Sequence, residues 1–139
     1  MPTYKTTIRV RFGDIDHAGI VFYPRISNFF HIAFEDFFAD AVGLPYDELI
    51  DDRRLGFPTV RSDVEYKVSL RFGDVAKVEI GVVHLGRSSL TMRYRLRTQD
   101  GEAVCVEGRI TTVCVNMDGF RPTPIPDDLR AVFEAHRAD

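Results

Sequence analysis

The chain has 139 residues, of which 45% are hydrophobic and 28% are charged. That length allows one domain with a substantial core and is too short for two, so we expect residues 1–139 to form a single domain of a soluble globular protein. Lys and Arg total 18 against 21 Asp and Glu, which leaves a net charge of −3, and this balance gives no reason to expect a nucleic-acid partner.

The first ten residues, MPTYKTTIRV, lack the apolar core of a signal peptide, and no apolar run approaches the length of a membrane span. The two cysteines, Cys105 and Cys114, fall in one strand-like segment. Nine residues of extended chain span roughly 30 Å, whereas bridged Cα atoms lie within about 7 Å, so we expect free thiols. These features predict a cytoplasmic protein without a metal site, a cofactor or a membrane partner.

The first predicted strand alternates between two faces, one of which is formed by Tyr4, Thr6, Ile8, Val10 and Phe12. A loop rich in glycine and aspartate follows, and then a helix from about Tyr23 to Val42, with Pro24 in its first turn and Gly43 at its end. Its apolar face is very broad and contains Ile26, Phe29, Phe30, Ala33, Phe34, Phe37 and Ala41. A surface helix needs less apolar area, so we expect a sheet to wrap around this helix.

Four more strands are predicted after a loop that contains Pro45 and Pro58. They cover about 60–71, 78–85, 90–97 and 103–115, with turns at 72–74, 86–89 and 100–101. A short terminal helix with Asp127 as its cap completes the chain. This order of elements indicates an α+β architecture, in which one long helix packs against one meandering antiparallel sheet.

The segment FGDIDHAGIVFYP, Phe12 to Pro24, carries the candidate chemistry. It places a carboxylate, Asp14 or Asp16, beside the start of the long helix, where backbone N–H groups lack partners and the helix dipole is positive. Such N–H groups polarise a carbonyl, so a carboxylate opposite them suits acyl transfer or hydrolysis. Pro24 has no N–H, and the donor is therefore Tyr23 or a residue after Pro24. On the residues alone, the competing interpretation is a loop of ordinary turn and capping residues.

FGDIDHAGIVFYP resembles the signature of the 4-hydroxybenzoyl-CoA thioesterase group of hotdog-fold enzymes, and the resemblance extends over nearly the whole chain. It implies a hotdog fold, in which a five-stranded antiparallel sheet wraps around one long central helix and a short C-terminal helix follows. It also implies an acyl-CoA thioesterase that converts an aromatic or short-chain acyl-CoA to the free acid and CoA. Members of this group pair their sheets edge to edge, so a homodimer or homotetramer is expected, with each active site built from two chains.

The resemblance assigns roles to individual residues of the motif. Asp16 would attack the thioester carbonyl as a nucleophile or activate a water as a general base. The backbone N–H of Tyr23 would polarise the carbonyl, and Gly19 would allow the loop to approach the substrate closely. Asp14 would then be structural, accepting hydrogen bonds from loop N–H groups.

Further positions match substrate contacts of the group. Ser69 falls near the expected acyl group, and the expected contacts to the CoA phosphates are Arg87, Ser88 and Ser89, which could also form an ordinary exposed turn. His31 and Glu35 lie one helical turn apart and could orient a hydroxyl of the acyl group or hold a water. A hydrogen bond at a subunit contact explains the same pair equally well.

Three other functions compete with thioester hydrolysis. A hotdog dehydratase or hydratase pairs a catalytic histidine with an acid, but this chain has no His-Phe-Pro motif. A non-catalytic acyl-binding domain would need no carboxylate at the helix start, where Asp16 is present. A lipid-binding barrel would lack a buried helix of this length.

Overall fold

The structure is a computed structural model that describes residues 3–138. Its helices are α1 (Pro24–Phe37), α2 (Tyr46–Asp51) and α3 (Asp127–Ala135). Its strands are β1 (Tyr4–Arg9), β2 (Leu55–Gly56), β3 (Thr59–Tyr66), β4 (Val75–Leu85), β5 (Ser89–Thr98), β6 (Val104–Val113), β7 (Val115–Asn116) and β8 (Arg121–Pro122). The predicted α+β arrangement of one five-stranded antiparallel sheet, one long helix and one short C-terminal helix is confirmed.

The strand order in the main sheet is β1-β4-β5-β6-β3, and β2, β7 and β8 form a separate small sheet. The expectation of a continuous meander was therefore wrong, because β3 pairs with β6 rather than with β4, the next strand along the chain. Hydrophobic alternation identifies the buried face of a strand but does not identify its neighbour. This order leaves β1 and β3 at the two edges of the sheet.

The predicted long helix is confirmed, and its apolar stripe is its buried face, formed by Ile26, Phe29, Phe30, Ala33, Phe34 and Phe37. The helix continues through a π-helical turn, Phe38–Val42, and ends at Gly43, where φ is 78°. Only glycine adopts such a positive φ without strain, so it ends the helix at the predicted residue. Burial of each large apolar side chain contributes about 1.5–3 kcal/mol, and this face therefore anchors α1 on the sheet.

Gly108 on β6 sets how closely α1 approaches the sheet. A Cβ atom at this position would lie 2.6 Å from Cε2 of Phe30. The ring of Phe30 therefore rests directly on the backbone of β6. It also packs at a centroid distance of 4.9 Å from Tyr94, which lies directly opposite Gly108 on β5.

Several sequence-based expectations need correction. The first strand ends at Arg9, and Phe12 begins a single turn of 3-10 helix with its side chain 76% exposed rather than buried. The region before Pro58 contains α2, where the sequence predicts a loop. Pro126, rather than Asp127, is the cap of α3. The turn of 3-10 helix interrupts the alternation at Phe12, and the cap of α3 differs from the predicted one by a single residue, as helix boundaries often do.

Strand β3 is also shorter than expected and is exposed along most of its length. Val60 and Tyr66 are both more than half exposed. Cys105 and Cys114 are buried free thiols, as predicted. Within residues 3–138, no helix is long and apolar enough to cross a membrane.

Candidate active site

The motif between β1 and α1 folds as a small hairpin over residues 14–22. Ile15 pairs with Val21, and the N–H of Phe22 donates to the carbonyl of Asp14 over 2.9 Å. At the tip, the N–H of Gly19 donates to the carbonyl of Asp16 over 3.0 Å, which closes a four-residue turn. This hairpin leads directly into the first turn of α1, so only a short stretch of chain separates Asp16 from the start of the helix.

Gly19 supplies the backbone conformation that this turn needs. Its φ is 82°, in the left-handed region that L-residues with a Cβ avoid. Apart from Gly19 and its two chain neighbours, no atom of the described chain lies within 4 Å of where its Cβ would be. Within the chain, glycine is therefore required by the positive φ and not by a crowded neighbour. The expected close approach to a substrate remains a prediction.

The carboxylate of Asp16 is half-buried and only partly engaged. Its Oδ1 accepts a hydrogen bond of 2.8 Å from the N–H of Ala18, which fixes the side chain against the turn. Its Oδ2 accepts no hydrogen bond from any residue between 3 and 138. One oxygen therefore orients the group while the other is free to meet a substrate or a water.

Asp14 has a different environment, although it lies only two residues away. Its side chain is 9% exposed, and its Oδ2 accepts a 2.8 Å hydrogen bond from the N–H of Arg11. Its Oδ1 accepts the Nε and Nη2 groups of Arg25, at 3.2 and 3.1 Å. Because Arg25 belongs to the first turn of α1, this ion pair ties the start of the loop to the start of the helix. Both oxygens of Asp14 are thus engaged within the protein.

The backbone N–H groups at the helix start are not all satisfied. The N–H of Arg25 donates to the carbonyl of Phe22 over 2.8 Å, and the N–H of Ile26 donates to the carbonyl of Tyr23 over 3.1 Å. The N–H of Tyr23 has no acceptor in the part of the chain that the structure describes. Pro24 carries no N–H, so Tyr23 offers a free donor at the positive end of the α1 dipole.

A cavity of about 200 Å³ has Tyr23 in its wall, together with Ile20, Tyr66, Ser69 and others. Ser69 therefore lies on the same cavity as Tyr23. Asp16 does not line the cavity, but its N–H donates to the carbonyl of Ile20 over 2.9 Å. The carboxylate thus lies on the hairpin that borders the cavity.

A larger cavity of about 390 Å³ lies between α1 and the edge strand β3, with walls that include Phe30, His31, Phe34, Tyr46, Thr59 and Tyr94. We call it the aromatic cavity. His31 Nε2 lies 3.0 Å from a carboxylate oxygen of Glu35, and both side chains are about half exposed, at 54% and 53%. This pair therefore contacts as its spacing predicts and lies at the rim of the aromatic cavity.

The turn at Arg87, Ser88 and Ser89 lies far from Asp16 within one chain. The segment that leads into the Asp16 hairpin lies at the beginning of β4, where the N–H of Val10 donates to the carbonyl of Asp74. The turn at 86–89 follows the other end of β4. Eleven extended residues separate the two ends by about 35 Å. Arg130 donates to the carbonyls of Gly86 and Arg87, which holds the turn in place.

Sequence reasoning did not identify Arg25, Tyr46 and Tyr94 as site residues. The hydrogen bonds of Arg25 to Asp14 could not be inferred from the motif alone. Tyr46 belongs to α2, in a region where the sequence predicts a loop. Tyr94 follows the inward alternation of β5 and looks like an ordinary core residue, although a tyrosine among inward-facing aliphatic residues is the signal that could have identified it.

Comparison with known proteins gives consistent matches. A family model described as the thioesterase-like superfamily matches residues 10–133. A 1,4-dihydroxy-2-naphthoyl-CoA hydrolase of Thermosynechococcus vestitus is 28% identical over 122 residues, which are 88% of this chain and 82% of the relative. A gentisyl-coenzyme A thioesterase structure is 31% identical, with a TM-score of 0.82, over 91% of this chain and 99% of the other. A thioesterase superfamily structure from Jannaschia sp. CCS1 is 26% identical, with a TM-score of 0.91, over 99% and 94%.

Replacement of Asp14 by Asn should lower the free energy of unfolding by about 1–3 kcal/mol, because the amide nitrogen cannot accept the buried hydrogen bonds from Arg11 or Arg25. Urea denaturation followed by circular dichroism measures the change. Asp118→Asn is a matched control, since its carboxylate pairs with Arg54 on the exposed surface and should contribute less than about 1 kcal/mol. Equal effects of the two substitutions would show that Asp14 does not hold the loop.

Proposed function

This chain belongs to the thioesterase-like superfamily, has the hotdog fold and is an acyl-CoA thioester hydrolase, and we propose that Asp16 and the Tyr23 N–H carry out its chemistry on an aromatic or short-chain acyl-CoA. The observation that carries this proposal is the free Tyr23 N–H at the start of α1. A donor without an acceptor at the positive end of a helix is suited to bind the thioester carbonyl oxygen. Its hydrogen bond strengthens as that oxygen gains negative charge.

Asp16 supplies the second element of the reaction. As a nucleophile, its free oxygen attacks the carbonyl carbon, the C–S bond breaks, and CoA leaves as a thiolate that then takes up a proton. Water hydrolyses the resulting anhydride and regenerates the carboxylate. As a general base, Asp16 instead takes a proton from the water that attacks the carbonyl. Both routes need one unengaged carboxylate oxygen, and Oδ2 of Asp16 meets that requirement.

The walls of the aromatic cavity support an aromatic acyl group. Phe30, Phe34 and Tyr94 line this space, and aromatic walls favour a flat apolar group. The relatives named above act on dihydroxynaphthoyl-CoA and gentisyl-CoA, which are both aromatic thioesters. Ser69 would contact the part of the acyl group next to the thioester, and the His31–Glu35 pair would meet its far end.

A two-chain site would reconcile the distant positions of Asp16 and Arg87. Edge strand β3 has unpaired backbone groups along its outer side, and such an edge is normally covered. If two β3 strands pair antiparallel about a two-fold axis, the partner's sheet runs in the opposite direction. The partner's turn at 86–89 then lies at the same end as Asp16. We therefore propose that the CoA phosphates bind to Arg87, Ser88 and Ser89 of the second chain in a homodimer, or in a homotetramer of two dimers.

Asp16→Asn should lower kcat by at least about 10²–10⁴ on every acyl-CoA that the wild type hydrolyses, because the amide cannot act as nucleophile or base. Steady-state release of CoA, followed with a thiol reagent over aryl, short-chain and long-chain esters, measures the loss and defines the acyl preference. A thermal melt checks that the variant is folded. Asp14→Asn is the control and should retain more kcat in its folded fraction. Near-wild-type kcat for Asp16→Asn would contradict the mechanism.

The proposed dimer predicts a sedimentation mass of at least two chains at micromolar concentration. Val60→Lys places a charge on the β3 edge and should shift the protein toward monomer, with a parallel loss of hydrolysis. Phe120→Lys changes another residue that is more than half exposed, outside the main sheet, and should leave the mass unchanged. Analytical ultracentrifugation that finds a monomeric and active wild type would exclude the two-chain site.

A further inference from the structure

Tyr94 is the polar residue deepest in the wall of the aromatic cavity. It lies on β5 with its side chain directed toward α1, is 3% exposed, and packs against the ring of Phe30. Gly108, opposite Tyr94 on β6, leaves the space that Phe30 occupies. The phenol ring is therefore held firmly between the helix and the sheet, where it borders the cavity.

The hydroxyl of Tyr94 has no strong hydrogen-bond acceptor in residues 3–138. Among the described residues, it contacts only the Sδ atom of Met92 in this way, at 3.8 Å. A thioether is a weak acceptor, whereas buried hydroxyls are normally bonded to oxygen or nitrogen. Burial also raises the pKa of Tyr94 well above its ordinary value, so the phenol keeps its proton and remains a donor at neutral pH. The cavity wall thus contains a fixed donor that is suited to a better acceptor.

Tyr46 adds a second donor to the same cavity. Its oxygen accepts the N–H of Phe57 over 2.9 Å, but its own hydrogen has no acceptor among the described residues. Burial raises the pKa of Tyr46 too. No Lys or Arg side chain lines the cavity in the described part of the chain. Two neutral phenol donors without a Lys or Arg suit a neutral oxygen better than a charged carboxylate, which would lose much of its hydration.

From this geometry we propose that Tyr94 determines substrate specificity by donating a hydrogen bond to a neutral hydroxyl or keto oxygen on the aromatic ring of the acyl group. The inference rests on the proposed function, because it places the acyl group in the aromatic cavity. An ester without the ring oxygen would fill the same space but would leave Tyr94 with only the sulfur of Met92. Sites built to bind a substrate hydroxyl discriminate against the analogue that lacks it for this reason.

The test compares kcat/KM for benzoyl-CoA with that for its 2-, 3- and 4-hydroxylated analogues. The wild type should prefer at least one hydroxylated ester. Tyr94→Phe keeps the ring that packs on Phe30 and should lower kcat/KM for that ester about tenfold, while benzoyl-CoA is unaffected. Tyr4→Phe is the matched control, since it removes a phenol that bonds to Asp40 outside the cavity, and the preference should persist. Absence of a preference in the wild type, or an equal loss on both esters in Tyr94→Phe, would overturn the assignment.

Binding of thioether analogues separates this inference from the hydrolytic mechanism. S-phenacyl-CoA and its ring-hydroxylated forms carry a methylene between sulfur and carbonyl, so they bind without hydrolysis. Calorimetry should show tighter binding of one hydroxylated analogue to the wild type, and Tyr94→Phe should abolish the difference. That result would support the role of Tyr94 even if the protein hydrolyses no thioester. A failure to hydrolyse any thioester would refute only the proposed function. Equal binding of all analogues by the wild type would refute the role of Tyr94.

Met92→Leu tests whether the phenol serves only to hold the core together. Leucine fills a similar volume but removes the weak acceptor. If Tyr94 binds the ring oxygen, the preference for the hydroxylated ester should be retained or increased. If the variant is folded, as judged by a thermal melt, but has lost the preference, then Tyr94 acts through its contact with Met92 and does not bind the ring oxygen.

Discussion

Burial of one face of α1 against the main sheet is the constraint on which the rest of the structure depends. Three phenylalanines of that face, Phe29, Phe30 and Phe37, are almost fully buried. Their packing fixes the direction of the helix, and its first turn consequently lies beside the hairpin that follows β1. The same packing places Phe30 and Phe34 of this face near the edge strand β3, where the aromatic cavity forms. The donor at the helix start and the cavity along its side are therefore consequences of one buried face.

Two aspartates in the same hairpin acquire different properties from their surroundings. Asp14 is buried and accepts hydrogen bonds from Arg11 and Arg25 on both oxygens. Asp16 is fixed through one oxygen by Ala18 and keeps the other free. A carboxylate that stabilises the loop cannot also meet a substrate, so the two roles are divided between neighbours. The ion pair between Asp14 and Arg25 connects them, because it joins the hairpin that carries Asp16 to the helix turn that follows Tyr23.

The sequence predicts the features that depend on local pattern. The apolar stripe predicts the buried helix and its end at Gly43, and the motif predicts a loop with a carboxylate beside the helix start. Pairing partners, by contrast, depend on contacts between distant segments, so the position of β3 next to β6 could not be inferred. The exposure of Phe12 was missed because a turn of 3-10 helix interrupts the alternation. Whether the Tyr94 hydroxyl has a strong hydrogen-bond acceptor depends on residues that surround it in three dimensions, and the sequence pattern of β5 does not predict them.

The central claim is that the unpaired N–H of Tyr23 polarises the thioester carbonyl that Asp16 acts on. Replacement of the peptide bond before Tyr23 by an ester, through incorporation of the corresponding α-hydroxy acid, removes this donor and weakens, without removing, the bond from the Arg25 N–H to the Phe22 carbonyl. Because the N–H has no acceptor in residues 3–138, the thermal stability should change little. The account predicts a fall in kcat of about 10²–10³, as for loss of one oxyanion donor. An unchanged kcat in the folded ester variant would contradict it.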